Sequence, residues 1–441
     1  MFSNRDLKNL IAPLFMEQLL LILVGIADTC TVSFISEAAV SGVSLVNAFN
    51  TIFIYLFTAL SSGGAVVISQ YIGRKAADRA GESASQLLTA SVVFSVLAAG
   101  FVLLVDKPLL KLLFGGVDPD VMHACLMYLC ISAYSYPAMA VYNAGAALYR
   151  SFGKTSATMY ISIISNIINV AGNLLSVFVL SAGVEGVAYS SLAARGFSAL
   201  AITVLCFSEY NPVRYRAQWI FQWNKKLLRS ILNIAVPNGI ESGIFQLVKV
   251  ALSSVVALFG TYQIAANGVA QSIWSLASLV CVTMGPVFIT VIGQCMGAGD
   301  VAAAETYFKK LTRITIIFAV AWNGLIFIIT PLLMSFYDLP DETKDLVILL
   351  VLIHNLFNAF AFPFADPLGK GLRATGDVRF TTYTSLFTTL VVRLVFSVYF
   401  GIVLDMGVVG IACSMCLDWA VRGVIFWYRF RRNKWRQFRV I

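Results

Sequence analysis

Ile11-Ala12-Pro13-Leu14-Phe15-Met16-Glu17, near the start of this 441-residue chain, returns as Ala235-Val236-Pro237-Asn238-Gly239-Ile240-Glu241. Proline to proline and glutamate to glutamate, the shift is 224 (237 − 13). Ile68-Ser69-Gln70-Tyr71-Ile72-Gly73 meets Ile292-Gly293-Gln294-Cys295-Met296-Gly297 at the same shift, and Gly186-Val187-Ala188 meets Gly410-Ile411-Ala412. Arg150-Ser151-Phe152-Gly153 meets Arg373-Ala374-Thr375-Gly376 one residue short of it. A near-constant shift along half a chain marks an internal duplication, which decides the fold before any single element does. Paired repeats are also how many transporters build a site that can open to either side of a membrane.

The composition says what each repeat is made of. Hydrophobic residues make up 59% of the chain and charged residues only 12%, with mean hydropathy +0.83. A soluble domain carries about 25% charged residues, so this chain is built for a lipid bilayer. Apolar runs of spanning length recur over 10–34, 43–70, 84–105, 121–148, 156–180 and 186–207. They recur again over 231–259, 264–294, 308–331, 346–369, 380–404 and 407–428. The expected fold is all-α and polytopic: twelve transmembrane helices in two six-helix repeats, with no period-two alternation for a barrel.

Charge placement orients the chain. Arg74, Lys75 and Arg79, then Arg150 and Lys154, then Arg214, Arg216, Lys225, Lys226 and Arg229 fall on one side. So do Arg429, Arg431, Arg432, Lys434, Arg436 and Arg439, whereas the other side holds only Lys107, Lys111 and Lys344. The positive-inside rule then puts both termini in the cytoplasm of a cell-membrane protein. The net charge of +9 is thus a topology signal, and no nucleic-acid partner is expected. Six spans per repeat make the repeats parallel, related about the membrane normal. The expected division is a first lobe at 1–208, a cytoplasmic linker at 209–230, a second lobe at 231–428 and a basic tail at 429–441.

Several chemistries are excluded. No Gly-rich loop with Lys-Ser/Thr is present, so no nucleotide is expected to drive the protein. His123 and His354 are the only histidines, too few for a zinc site or an intramembrane enzyme. Cys413-Ser414-Met415-Cys416 has redox spacing but no βαβ context. No enzyme activity and no cofactor are expected; the energy source is an ion gradient, Na⁺ or H⁺, or else the protein is passive.

Charges within the spans are the strongest functional signal, because each is costly in lipid unless paired or hydrated. Asp28 is the sharpest candidate. Asn166, Asn169 and Asn173 recur at spacings of three and four and line one helix face. A carboxylate facing amide oxygens suits Na⁺, and equally a proton. Glu17 and Glu241 are duplicate acids just after the helix prolines, and Lys249 lies two turns beyond Glu241 on the same face. These, with Arg195, Asp366 and Arg393, are candidates to line a substrate cavity. Asp418 and Arg422, four apart, are expected to pair.

The doubled six-helix layout, the two proline-bearing helices and the Gln-x-x-Gly helix ends resemble the multidrug and toxic compound extrusion family over nearly the whole chain. Leu148-Tyr149-Arg150-Ser151-Phe152-Gly153 and Leu372-Arg373-Ala374-Thr375-Gly376-Asp377 look like its Leu-Arg-x-x-Gly-Asp turn. The resemblance implies a V-shaped pair of lobes acting as a monomer and exporting small organic, cationic, drug-like compounds against Na⁺ or H⁺ by alternating access. It places Asp28, Asn169, Asn173 and Ser191 at the coupling site, with Asp28, Asn169 and Asn173 as Na⁺ ligands. Asn173 stands where several members carry a second acid, and Gln246 where one branch carries a seventh-helix glutamate. Both departures bring the chain closer to the DinF-like branch. The alternative is a lipid-linked precursor flippase of the same two-lobe superfamily, whose mark would be a basic cavity containing Arg195, Lys249 and Arg393.

Overall fold

The computed structural model describes residues 2–337 and 339–441, which divide into two compact units, Ser3–Gly239 and Ile240–Ile441 with Phe2. The described residues hold eleven helices long and apolar enough to cross a membrane, or twelve when one bent pair is counted as a single span.

The first unit begins with α1 (Asn4–Ser33), α2 (Glu37–Gly73) and α3 (Ala77–Phe114). At 1.5 Å rise per residue, 30 residues extend about 45 Å, more than the hydrocarbon thickness of a bilayer. Ser3 starts α1 with a reciprocal cap: its hydroxyl accepts from the Asp6 amide (3.1 Å) and its own amide donates to the Asp6 carboxylate (2.7 Å). The fourth span is α4 (Pro119–Tyr134) and α5 (Tyr136–Ser151), bent by 44° at Ser135. Pro137 explains the bend, since its ring cannot coexist with a helical carbonyl four residues earlier. Next come α6 (Thr155–Leu174), closing in a π-helical turn at Leu175–Val179, and α7 (Gly183–Phe207).

The stretch after α7 is bound to the first unit. Gln86 on α3 donates to the carbonyls of Trp219 and Gln222, both at 2.6 Å, and Asn211 donates to the Tyr149 hydroxyl (2.7 Å). Within this stretch α8 (Ala217–Phe221) precedes α9 (Lys225–Val256), which runs unbroken through Pro237 and carries the chain into the second unit.

The second unit continues with α10 (Thr261–Ala277), α11 (Leu279–Gly297) and α12 (Val301–Ser335). Its tenth span is cut into α13 (Asp341–Phe360), α14 (Phe362–Ala365) and α15 (Pro367–Thr375), with Pro363 and Pro367 at the breaks. The chain closes with α16 (Val378–Phe387), a π-helical segment at Thr388–Val395, α17 (Phe396–Val398), a second π turn at Tyr399–Val403, and α18 (Gly407–Arg431).

The duplication is written in the backbone. The π turn at Leu175–Val179 recurs 224 residues on at Tyr399–Val403. Left-handed residues recur with it: Lys75 with Gly299, Gly153 with Gly376, Ser181 with Asp405, Gly183 with Gly407. Gly186 and Gly410 match because each lies against a neighbouring helix. A Cβ on Gly186 would come 2.6 Å from the Ser176 Cβ, and one on Gly410 would come 2.6 Å from the Phe400 carbonyl carbon. The shift is 223 at Gly153/Gly376 but 224 at Leu175/Tyr399. The π segment Thr388–Val395 lies between these points and takes up the extra residue, as π bulges do.

Candidate functional site

In the first unit, α1, α6 and α7 bring Asp28, Asn173, Asn169 and Ser191 together. Asn173 Nδ2 donates to Asp28 Oδ1 at 2.6 Å and to Asn169 Oδ1 at 3.3 Å. Asn169 Nδ2 donates to Ser191 Oγ at 3.0 Å. Two oxygens facing the Asn173 nitrogen fix the orientation of its amide, and its Oδ1 is buried without a partner. Asn169 and Asn173 are buried and Asp28 is half-buried. Helix contact makes the arrangement possible: a Cβ on Gly172 would meet Ser190 Oγ at 2.7 Å, so only glycine lets α6 and α7 approach this closely beside the asparagines. The donor set is carboxylate, amide and hydroxyl oxygen, hard ligands that fit Na⁺, and the carboxylate alone can take a proton.

Arg195, one turn beyond Ser191, donates to Ser135 Oγ at 2.6 Å and lies within electrostatic reach of Asp28. The Tyr128 hydroxyl lies against Ser191 and Asn47. The sequence reading missed Tyr128 and Asn47, because a lone tyrosine or asparagine in an apolar helix carries no signal until its neighbours are known. Asn166 is not drawn into this chain of bonds, and its Nδ2 is buried without a partner.

The duplicate acids lie apart from that cluster. Glu17, 2% exposed, accepts from Arg150 (2.7 Å), Tyr142 (3.0 Å) and Thr158 (3.0 Å). Glu241 pairs in the same way with Arg373, whose Nε donates to Thr381. The Arg-x-x-Gly turn therefore anchors the first helix of its own repeat. Asp377, at the end of the second turn, is held by both nitrogen arms of Arg429 (2.7 and 3.1 Å). Asp366 pairs with Lys370 at 2.8 Å.

Asp418 is fully buried and pairs with Arg422 (2.8 Å), as the spacing predicts, and also with Arg393 (3.0 Å). Arg393 lies 4.8 Å from the Phe245 ring centre. Gln246 is half-buried on α9, next to Phe245, and Lys249 is exposed. Neither has an acidic partner among the described residues. On α13, His354 is buried with both ring nitrogens unpartnered, and Asn358 with both amide atoms unpartnered. The sequence reading weighed His354 only as a zinc ligand. No group of three or more His, Cys, Asp or Glu side chains gathers among the described residues.

Two repeats of membrane-crossing helices, each with ionisable groups held at bilayer depth, define a polytopic transporter. The MatE family model matches residues 13–175 and 237–399, one block per repeat at the shift of 224. The chain belongs to that family. YisQ of Bacillus subtilis, described as an uncharacterized transporter, is 27% identical over 439 residues, covering 98% of this chain and 95% of its own. NorM of Thermotoga maritima, described as a probable multidrug resistance protein, is 23% identical over 448 residues, covering 98% and 93%. In fold, the chain matches a MATE solved in complex with MaL6 at a TM-score of 0.90, with 19% identity over 97% of this chain and 95% of that one.

Proposed function

We propose that the chain is a cell-membrane antiporter that exports small organic compounds in exchange for Na⁺ or H⁺, with Asp28 as the coupling group. The carrying observation is the Asp28–Asn173–Asn169–Ser191 chain of hydrogen bonds, an acid in a cluster of neutral oxygen ligands inside the membrane-spanning region. Glu17, Glu241 and Asp366 are each ion-paired within their own unit, which leaves Asp28 the acid best suited to exchange its partner. The names of relatives such as NorM support drug-like substrates. The match of the MatE model to both repeats favours this reading over a flippase.

The mechanism follows from what the side chains offer. With no cation bound, the Asn173 amide nitrogen stabilises the Asp28 carboxylate. Na⁺ needs oxygens, so its arrival turns the Asn173 amide and brings the unpartnered Oδ1 to the ion, with Asp28, Asn169 and Ser191 as further ligands. A proton would instead neutralise Asp28 directly. Either event removes a charge that is costly at this depth, and this lets cation occupancy bias one conformation over another. The basic side of the chain, with both termini, faces the cytoplasm. The protein works as a monomer, without nucleotide or cofactor.

The test is efflux from proteoliposomes with the Na⁺ and pH gradients imposed separately. The reading expects one gradient to drive export and its collapse to stop it. Equal flux with neither gradient would mean a passive carrier.

A further inference from the structure

The second unit does not repeat the polar site of the first. At the shift of 224, Leu252 stands for Asp28, Arg393 for Asn169, Ser397 for Asn173 and Met415 for Ser191. Arg393 sits inside the π segment Thr388–Val395, where the register moves by one residue. The acid has gone and a guanidinium has come in, so the polarity is inverted between the repeats.

Charge accounting around Arg393 points the same way. Arg393 and Arg422 share the single carboxylate of Asp418. The Arg393 guanidinium lies over Phe245, and Lys249 follows Phe245 by one helical turn on the same face of α9. Lys249 has no acidic partner among the described residues and is exposed, whereas Arg393 is 5% exposed and Asp418 0%. Two arginines therefore share one acid, and Lys249, within electrostatic reach of Arg393, adds a third positive charge with no acid of its own among the described residues. The other acids of these spans are committed elsewhere, Glu241 to Arg373, Asp366 to Lys370 and Asp377 to Arg429. Uncompensated positive charge at bilayer depth is costly, and an anionic group seated against Lys249 removes that cost. Thr388 and Thr389 already accept from Arg422 (3.0 and 2.9 Å), so Arg422 is held in place and Lys249 is the free arm.

We infer that Lys249, backed by Arg393, is a subsite for an anionic group, a carboxylate or phosphate carried by the transported compound. This rests on the antiporter reading and changes its substrate class: expected to be cationic, the compound is here one with at least one negative charge. An anionic lipid headgroup offers the same chemistry, so the test must separate the two sources.

The probes are a matched pair with one body and opposite heads, biphenyl-4-carboxylate and biphenyl-4-yl-trimethylammonium. Binding to the purified full chain is measured by calorimetry in nanodiscs of neutral phosphatidylcholine. The carboxylate should bind at least about tenfold more tightly than the ammonium. Lys249→Gln should weaken it about tenfold or more, the scale of one lost charged hydrogen bond. Lys249→Arg should keep it within a few-fold, and Lys249→Glu should reverse the preference. Because Lys249 is exposed, these variants are expected to fold, and gel filtration checks that they do. Nanodiscs containing phosphatidylglycerol supply the second arm: loss of carboxylate affinity there identifies the headgroup as the occupant of the same site. Preference for the ammonium, or an unchanged carboxylate affinity in Lys249→Gln, overturns the inference. No gradient enters the measurement, so a chain that binds the carboxylate but does not pump loses only the antiporter reading. One that pumps but binds only cations loses only this subsite.

Discussion

Replacing Glu17 by alanine should destabilise the first unit strongly. The side chain is 2% exposed and accepts three hydrogen bonds, one of them from the Arg150 guanidinium at 2.7 Å. The substitution takes the carboxylate away from a largely buried guanidinium and leaves the Tyr142 and Thr158 hydroxyls only backbone carbonyls to donate to, at 3.4 and 2.9 Å. Removing one partner of a buried pair costs about 3–5 kcal/mol. For a unit of this size each kcal/mol moves the melting midpoint by roughly 2–4 °C, so the apparent midpoint in detergent should fall by roughly 6–20 °C. Glu241→Ala should cost less, because Glu241, at 17% exposed, is more open to water than Glu17. Combining Glu17→Leu with Arg150→Met should recover part of the loss, since apolar replacement of both partners removes the unpaired charge. If Glu17→Ala melts within about 2 °C of wild type while transport collapses, the pair is not architectural. Glu17 would then belong to the transport site.

Gly186→Val should destabilise the packing of α7 against the π turn, because even a Cβ there falls 2.6 Å from that of Ser176; a drop of at least about 1 kcal/mol in thermal stability is expected. Asn173→Asp adds a second acid beside Asp28 and should tighten binding of the coupling cation, read as a lower half-saturating Na⁺ concentration or a shifted pH optimum. A reporter that fluoresces only in the cytoplasm, fused after Ile441, should glow; a dark fusion of intact protein would reverse the orientation.

The duplication was legible because glycine, proline and arginine each have a physical reason to recur. Gly376 takes φ +107°, a conformation that costs little only for glycine. Gly186 and Gly410 lie too close to a neighbouring helix for a side chain. The pairing of Glu17 with Arg150 was latent in the same comparison, since both residues recur at nearly one shift, but a shift does not say which recurring residues touch. The bond between Asp28 and Asn173 joins residues 145 apart; the sequence grouped Asp28 with the asparagine face by its chemistry and the resemblance put them at one site, but neither could say which asparagine bonds the acid. The pairing of Asp418 with Arg422 followed from helical spacing. The second ion pair, with Arg393, comes from another helix and was invisible to spacing. Nor does periodicity reveal a π segment, so the extra residue at Thr388–Val395 surfaced only as the difference between shifts of 223 and 224. The fourth and tenth spans read as continuous apolar runs, but their prolines divide them.

The central claim is that Asp28 couples cation entry to export. Asp28→Asn keeps the shape of the side chain, can still bond to Asn173 and removes the charge. Purified wild type and Asp28→Asn, reconstituted at equal density, are compared for substrate efflux under whichever imposed gradient drives the wild type. Gradient-driven efflux should vanish in the variant while its insertion and folding persist. Pumping at the wild-type rate would contradict the account and move the coupling site elsewhere.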